Sequence, residues 1–373
     1  MMKNVLLLAC AAVLTVAAQA QTTAAEVLDV ARKANDYFMV QNPTPESDTF
    51  VHGKRRPSSL WTRGVYYEGL TALWEVDQQQ RYIDYIDRWA NYHQWTPRNG
   101  VKTTHADDQC CSQTYIWRYR QTQDKKMLVS AIENLDMEIA GGKVDWWWWI
   151  DAIQMALPVF AQATVTTGDR RYIDFGMQLY RHTRNVEGGG LFNEKSGLWW
   201  RDKNFAPPFK EKDGKDCYWS RGNGWVYAAL ARVMQELGPK DPYYKELKKD
   251  FLLMSAALPK CQREDGLWNA SLVSQEWAGK EISGTSLFIY GMAWGIQHGL
   301  LKAKTFRPVI DRAWKTIVRD AIHPNGFLGF VQGTGAGPAD SQPVTYDKAP
   351  DFEDYGTGCF LLGATEYYKL IKK

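Results

Sequence analysis

Ile150-Asp151-Ala152-Ile153-Gln154-Met155-Ala156-Leu157-Pro158-Val159-Phe160-Ala161-Gln162-Ala163-Thr164-Val165 is closed by Thr167-Gly168-Asp169-Arg170 and followed by Arg171-Tyr172-Ile173-Asp174. The apolar residues of the first segment leave almost no polar face, so a helix over 150–165 must be buried on all sides. The same unit occurs earlier, where residues 70–76 lead through Asp77-Gln78-Gln79-Gln80 into Arg81-Tyr82-Ile83-Asp84. A third version runs from residues 226–237 through Gly238-Pro239-Lys240-Asp241-Pro242 into Tyr243-Tyr244-Lys245-Glu246-Leu247. The repeated Arg-Tyr-Ile-Asp string at one structural point marks internal repetition.

The second helix of each unit is of another kind. Tyr244, Leu247, Phe251 and Met254 fall at helical spacing with Lys and Glu between them, the pattern of an outer helix with one wet face. Inner helices start near Trp61, Asp107, Trp149, Ser220, Ser283 and Gly356, each after an irregular stretch, and few segments show the period-two alternation of a strand. Six helical hairpins closing on themselves predict an all-α fold, an (α/α)6 barrel. No stretch between residues 21 and 373 reads as a linker, so this span is expected to be a single catalytic domain.

Residues 1–20 have the form of a signal peptide: Lys3, an apolar run over 5–17, and Ala18-Gln19-Ala20 as cleavage site. The apolar run falls short of the ~20 residues that span a bilayer. Leu8-Ala9-Cys10 resembles a lipoprotein box, but the apolar stretch continues past it, which favours a periplasmic or secreted protein, soluble after signal removal. The five cysteines that follow (Cys110, Cys111, Cys217, Cys261, Cys359) are odd in number and irregularly spaced, so neither a disulfide framework nor a zinc site is signalled. A formal net charge of +3 without a basic tract argues against nucleic acid as a partner. No sequence signal bears on oligomeric state. The 17 Trp and 19 Tyr suit both a large core and a cleft that stacks sugars, pointing to an oligosaccharide partner.

In such a barrel the loops entering the inner helices gather at one end. Asp107-Asp108, Asp151, Ser220-Arg221-Gly222-Asn223-Gly224-Trp225, Ser283-Gly284-Thr285 and Asp354-Tyr355-Gly356 all fall there. Asp, Ser and Thr at helix starts are ordinary caps. Asp151, after four tryptophans, should lose hydration and keep its proton to higher pH, as a general acid must. Asp107 is the candidate second carboxylate, with Asp108 competing for the role. Arg221, between small residues that let backbone and ligand approach, can fork onto a carboxylate or tie two loops. Trp225 can wall a sugar site or fill the core, and His105 can exchange a proton with Asp107. No H-x-x-H or H-E-x-x-H pattern, phosphate loop or G-x-S-x-G elbow is present, so no metal and no cofactor is expected.

Trp149-Ile150-Asp151-Ala152, His105-Ala106-Asp107-Asp108 and Arg221-Gly222-Asn223-Gly224-Trp225 together resemble the unsaturated glycuronyl hydrolases. The closer resemblance is to the unsaturated rhamnogalacturonyl hydrolases of glycoside hydrolase family 105, related to family 88, and it covers nearly the whole chain after residue 20. It implies the six-hairpin barrel and a glycosidase that removes a terminal 4,5-unsaturated uronic acid from lyase products. Asp151 would protonate C4 while water adds at C5, and Asp107 would tune that step. It also implies a histidine where Gly197-Leu198-Trp199-Trp200-Arg201 places Arg201, a cation that still suits a uronate carboxylate. Arg221, Trp225, Arg201, Trp149, His105 and Trp61 are the candidate substrate-binding residues. Two other readings compete: a polysaccharide lyase or sugar epimerase on the same barrel, and a glycan-binding relative without catalysis.

Overall fold

The computed structural model describes residues 22–51, 54–347 and 354–372; the expected signal peptide lies outside them. The chain runs α1 (Ala24–Gln41), β1 (Thr49–Val51), β2 (Lys54–Arg56), α2 (Trp61–Val76), α3 (Gln80–Tyr92), a single turn α4 (Ala106–Gln109) and α5 (Ser112–Thr122). It continues through α6 (Val129–Gly141), α7 (Asp151–Thr167), α8 (Arg171–Asn185), β3 (Phe192–Asn193), β4 (Leu198–Trp199) and α9 (Ser220–Leu237). The last helices are α10 (Tyr244–Ala257), α11 (Ile282–Gln297), α12 (Ala303–Asp320) and α13 (Asp354–Lys372). The strands form two antiparallel ribbons, β1–β2 and β3–β4.

Helices α2, α5, α7, α9, α11 and α13 touch in that order, and α13 returns to α2, so the six inner helices close a ring. Each packs against one outer helix: α3, α6, α8, α10 and α12 follow their inner partners, and α1 covers α13. The sixth hairpin thus joins the two ends of the chain. Where α2 meets α13 the backbones nearly touch, and a Cβ on Gly69 would lie 2.5 Å from the Gly358 carbonyl oxygen. The repeated Arg-Tyr-Ile-Asp strings open α3 and α8, and their Tyr82, Ile83, Tyr172 and Ile173 are buried between inner and outer layers.

Local sequence explains the element ends. Thr23 and Glu26 form a reciprocal capping box at the start of α1 (Glu26 N–H to Thr23 Oγ1, 3.2 Å; Thr23 N–H to Glu26 Oε2, 2.7 Å). Gly168 stops α7 at φ +78°, donating its N–H to Thr164 O at 2.8 Å. Pro158, inside α7, cannot donate to the carbonyl four residues back, and the Gln113 amide from α5 donates to that Gln154 oxygen instead, at 2.9 Å.

The bore of the ring is polar halfway along its length. Glu68 of α2 is fully enclosed, ion-paired with Arg232 of α9, and accepts from Gln154 Nε2 at 2.8 Å and Cys110 Sγ at 3.3 Å. Burial raises its pKa, and Arg232 opposes that.

Candidate active site

The tryptophan run is extended, so successive rings face opposite sides. Trp147 is fully buried edge-on to Phe160, with its carbonyl taking a 2.6 Å bond from Thr183 Oγ1. Trp149 is buried against the exposed His105 ring, with centroids 4.8 Å apart. Trp148 faces out, 45 % exposed, and Trp146 receives the Lys143 ammonium on its face. The run pairs with the segment after β4: Trp149 bridges to Asp202, and Ile150 N–H donates to Arg201 O at 3.0 Å. That pairing delivers Asp151, the first residue of α7, to Arg201. Arg201 Nε donates to Asp151 Oδ2 at 3.2 Å and its Nη1 to Asp202 Oδ2 at 2.7 Å, while its guanidinium lies 5.3 Å from the Trp148 ring centre.

Asp107 and Asp108, adjacent in the short helix α4, have separate fates. Asp108 is buried and saturated: Arg98 Nη1 (2.7 Å), Asn99 Nδ2 (3.0 Å) and Thr103 Oγ1 (2.6 Å) all donate to it. Asp107 lies near enough to Asp151 to feel its charge, and its carboxylate has no hydrogen bond among the described residues. Burial pushes its pKa up to about 7, the Asp151 and Asp108 charges add to the rise, and Arg201 and Arg98 oppose it. Burial also raises the Asp151 pKa, against Arg201 and Arg221. His105 caps α4, its Nδ1 accepting from Asp107 N–H at 3.3 Å and lying 3.8 Å from Asp107 Oδ2. Burial lowers the histidine's pKa, which favours the neutral ring.

Arg221 is fully enclosed at the start of α9. Its terminal nitrogens donate to Gln332 O (2.6 Å) and Gly333 O (2.7 Å), tying α9 to the loop before α13, and its plane lies between Trp219 and Tyr355. The fork therefore meets two carbonyls, while its charge still acts on Asp151. Gly222 and Gly224 make room for Trp219, Ile150 and Leu287 rather than for a ligand. Trp225 is fully buried and meets half-buried Trp61 edge-on at 6.2 Å; Trp61 in turn lies 5.2 Å from Tyr355. The structure brings Asp151, Asp107, Arg201, His105 and Trp149 to one mouth, and sets Arg221, Trp225 and Trp61 behind them.

Three residues were not singled out by sequence. Asp202 fixes Arg201. Gln332 holds its own loop by donating to the carbonyls of Gly337, Pro338 and Asp340, and accepts from Trp219 Nε1 at 2.9 Å. Exposed Trp148 was legible only as one of four. At the far end of the bore, a cavity of about 80 Å³ is lined by Glu68, Glu75, Glu236, Glu366, Arg232 and Lys369. Each of its acids is ion-paired, with Arg232, Lys369, Arg120 and Lys369 respectively, and none is placed against Asp151. No cluster of three or more His, Cys, Asp or Glu is arranged to hold a metal among the described residues.

Six helical hairpins close into a ring whose mouth holds two carboxyls of raised pKa and an arginine, a frame that suits a carbohydrate-active enzyme. The chain belongs to Glycosyl Hydrolase Family 88, whose model matches residues 30–371, and it is a glycoside hydrolase. It is 32% identical over 335 residues to an unsaturated 3S-rhamnoglycuronyl hydrolase of Formosa agariphila, covering 83% of this chain and 84% of that protein. Among solved structures, a glycosyl hydrolase family 88 protein from Bacteroides vulgatus superposes with a TM-score of 0.84 at 29% identity, over 94% of this chain and 100% of that one. A protein described as a polysaccharide lyase gives 0.83 at 28% identity, over 94% and 98%.

Proposed function

We propose that this chain removes a terminal 4,5-unsaturated uronic acid from lyase-generated oligosaccharides by hydrating the double bond, with Asp151 as general acid. The observation that carries this reading is the Asp151–Asp107 pair: burial raises the pKa of both carboxyls, and the Asp151 charge adds to the rise at Asp107. A carboxylic acid that is still protonated near pH 7 can donate to C4 of an enol ether. Positive charge then develops at C5 and O5, and water deprotonated by the resulting carboxylate adds at C5. The hemiketal opens to a C5 ketone, which leaves C1 a hemiacetal; its collapse to an aldehyde expels the aglycone alcohol. One water is consumed, and the glycosidic bond breaks without a glycosyl-enzyme. Arg201, where the resemblance implies histidine, faces the uronate carboxylate, and exposed Trp148 offers a face to the next sugar. The unsaturated rhamnoglycuronyl class named for the Formosa relative is the first substrate to try. Export by the N-terminal segment and a single catalytic domain over 21–373 belong to the same reading.

The test is a panel of lyase-generated oligosaccharides followed by the ultraviolet absorbance of the conjugated double bond. Absorbance should fall with wild type, and Asp151→Asn should slow the loss at least about a hundredfold. A panel in which no unsaturated uronide is consumed rejects the reading. The neighbour described as a polysaccharide lyase favours one alternative, a lyase acting on the intact polymer. That chemistry creates the absorbance instead of destroying it, so the sign of the change separates the two.

A further inference from the structure

Arg201 holds two carboxylates of different standing. Asp202 is 1 % exposed, bridged to Trp149 and fixed by the Asn204 N–H at 2.8 Å. Asp151 opens onto the mouth and is held through the longer, single 3.2 Å contact to Nε. The guanidinium also lies against Trp148, the most exposed tryptophan of the site. This ion pair favours the ionised form of Asp151, the form that cannot deliver a proton. The other groups around the acid are committed elsewhere: Arg98 to Asp108, Arg221 through its terminal nitrogens to two carbonyls, and the neutral His105 ring to the Asp107 N–H.

We propose that Arg201 is an exchangeable counter-ion: the carboxylate of the bound uronic acid takes it from Asp151, and the Asp151–Asp107 pair takes up one proton from solvent in the same step. The inference rests on the uronide reading and adds to it the way the substrate's charge is sensed. A neutral sugar of the same shape leaves the ion pair intact and the proton affinity of the acid unchanged. A uronate neutralises the guanidinium and adds its own negative charge beside the carboxylates, and both effects raise the proton affinity of the pair, which titrates as a unit.

The experiment measures affinity for methyl β-D-glucuronide against methyl β-D-glucoside by tryptophan fluorescence, from about pH 5 to about pH 9. One proton taken up on binding makes the uronide affinity fall about tenfold per pH unit once the free pair has ionised, whereas the glucoside shows no such slope. Arg201→Gln should bring the uronide to the glucoside's affinity and abolish the slope; Arg201→Lys, keeping the charge, should weaken binding but retain it. A flat uronide profile in wild type, an unchanged slope in Arg201→Gln, or no uronide binding at the highest soluble concentration overturns the proposal. A slope without consumption of any unsaturated uronide would discard the hydrolase reading and keep the coupling, while turnover with a flat profile would do the reverse.

Discussion

Asp107→Asn keeps the shape of a side chain whose carboxylate accepts no hydrogen bond among the described residues, so its effect on stability is chiefly the removal of a charge. The carboxyl moves from its ordinary 3.8 to about 7 on folding, about three units, and at about 1.4 kcal/mol per unit the ionised form is disfavoured by about 4 kcal/mol. Because the folded-state value is raised, the stabilisation from the bound proton is complete below about pH 3.8 and is lost as pH rises through about 7. The side chain is 23 % exposed, so solvent screens part of this, and roughly 2 kcal/mol is expected in practice. At ~1–2 °C per kcal/mol for a chain of this size, Asp107→Asn should melt about 2–4 °C above wild type at pH 8. At pH 4 the two should nearly coincide. Urea and thermal unfolding at the two pH values, at matched ionic strength, test this. Equal stabilisation at both pH values, or a variant less stable than wild type at pH 8, refutes the assignment of Asp107 as the strained partner.

Asp108→Ala should behave in the opposite way. It strands Arg98, Asn99 and Thr103 without their common acceptor, so stability should drop by about 2–4 kcal/mol at neutral pH; losing the Asp108 charge and freeing Arg98 should also move the basic limb of the activity profile to lower pH, and an unmoved limb contradicts this. Gly69→Ala forces a methyl against the Gly358 carbonyl where α2 and α13 close the ring, and should cost about 1–3 kcal/mol, read as a lowered Tm with unchanged kcat/KM in what remains folded. An unaltered Tm would mean that the ring closes less tightly there.

The architecture was legible because each hairpin announces itself locally. The polar-poor run 150–165 and the Arg-Tyr-Ile-Asp strings required burial on all sides for one helix and on one side for the next, and that requirement does not depend on distant residues. Asp151 was legible for a similar reason, as the acid after an aromatic run. The choice between Asp107 and Asp108 was not, because one turn of helix aims adjacent side chains in different directions, and the donors that claim Asp108 come from a loop with no motif of its own. Glu68 and Arg232 were invisible for a longer-range reason: 164 residues separate them, and each alone reads as the polar face of its helix. Arg201 was singled out as a cation for a substrate carboxylate, but its contact with Asp151 depends on the pairing of 149–150 with 201–202, which only the folded chain creates.

The stopper of Glu68, Arg232, Gln154 and Cys110 has a consequence for traffic. A bore blocked at mid-length cannot be threaded, so a sugar chain must enter end first and withdraw through the same opening. On the proposed activity each visit would remove one residue from the tip, and both fragments would have to leave before the next could begin. Turnover would then follow the number of chain ends in solution, not the length of the chains that carry them.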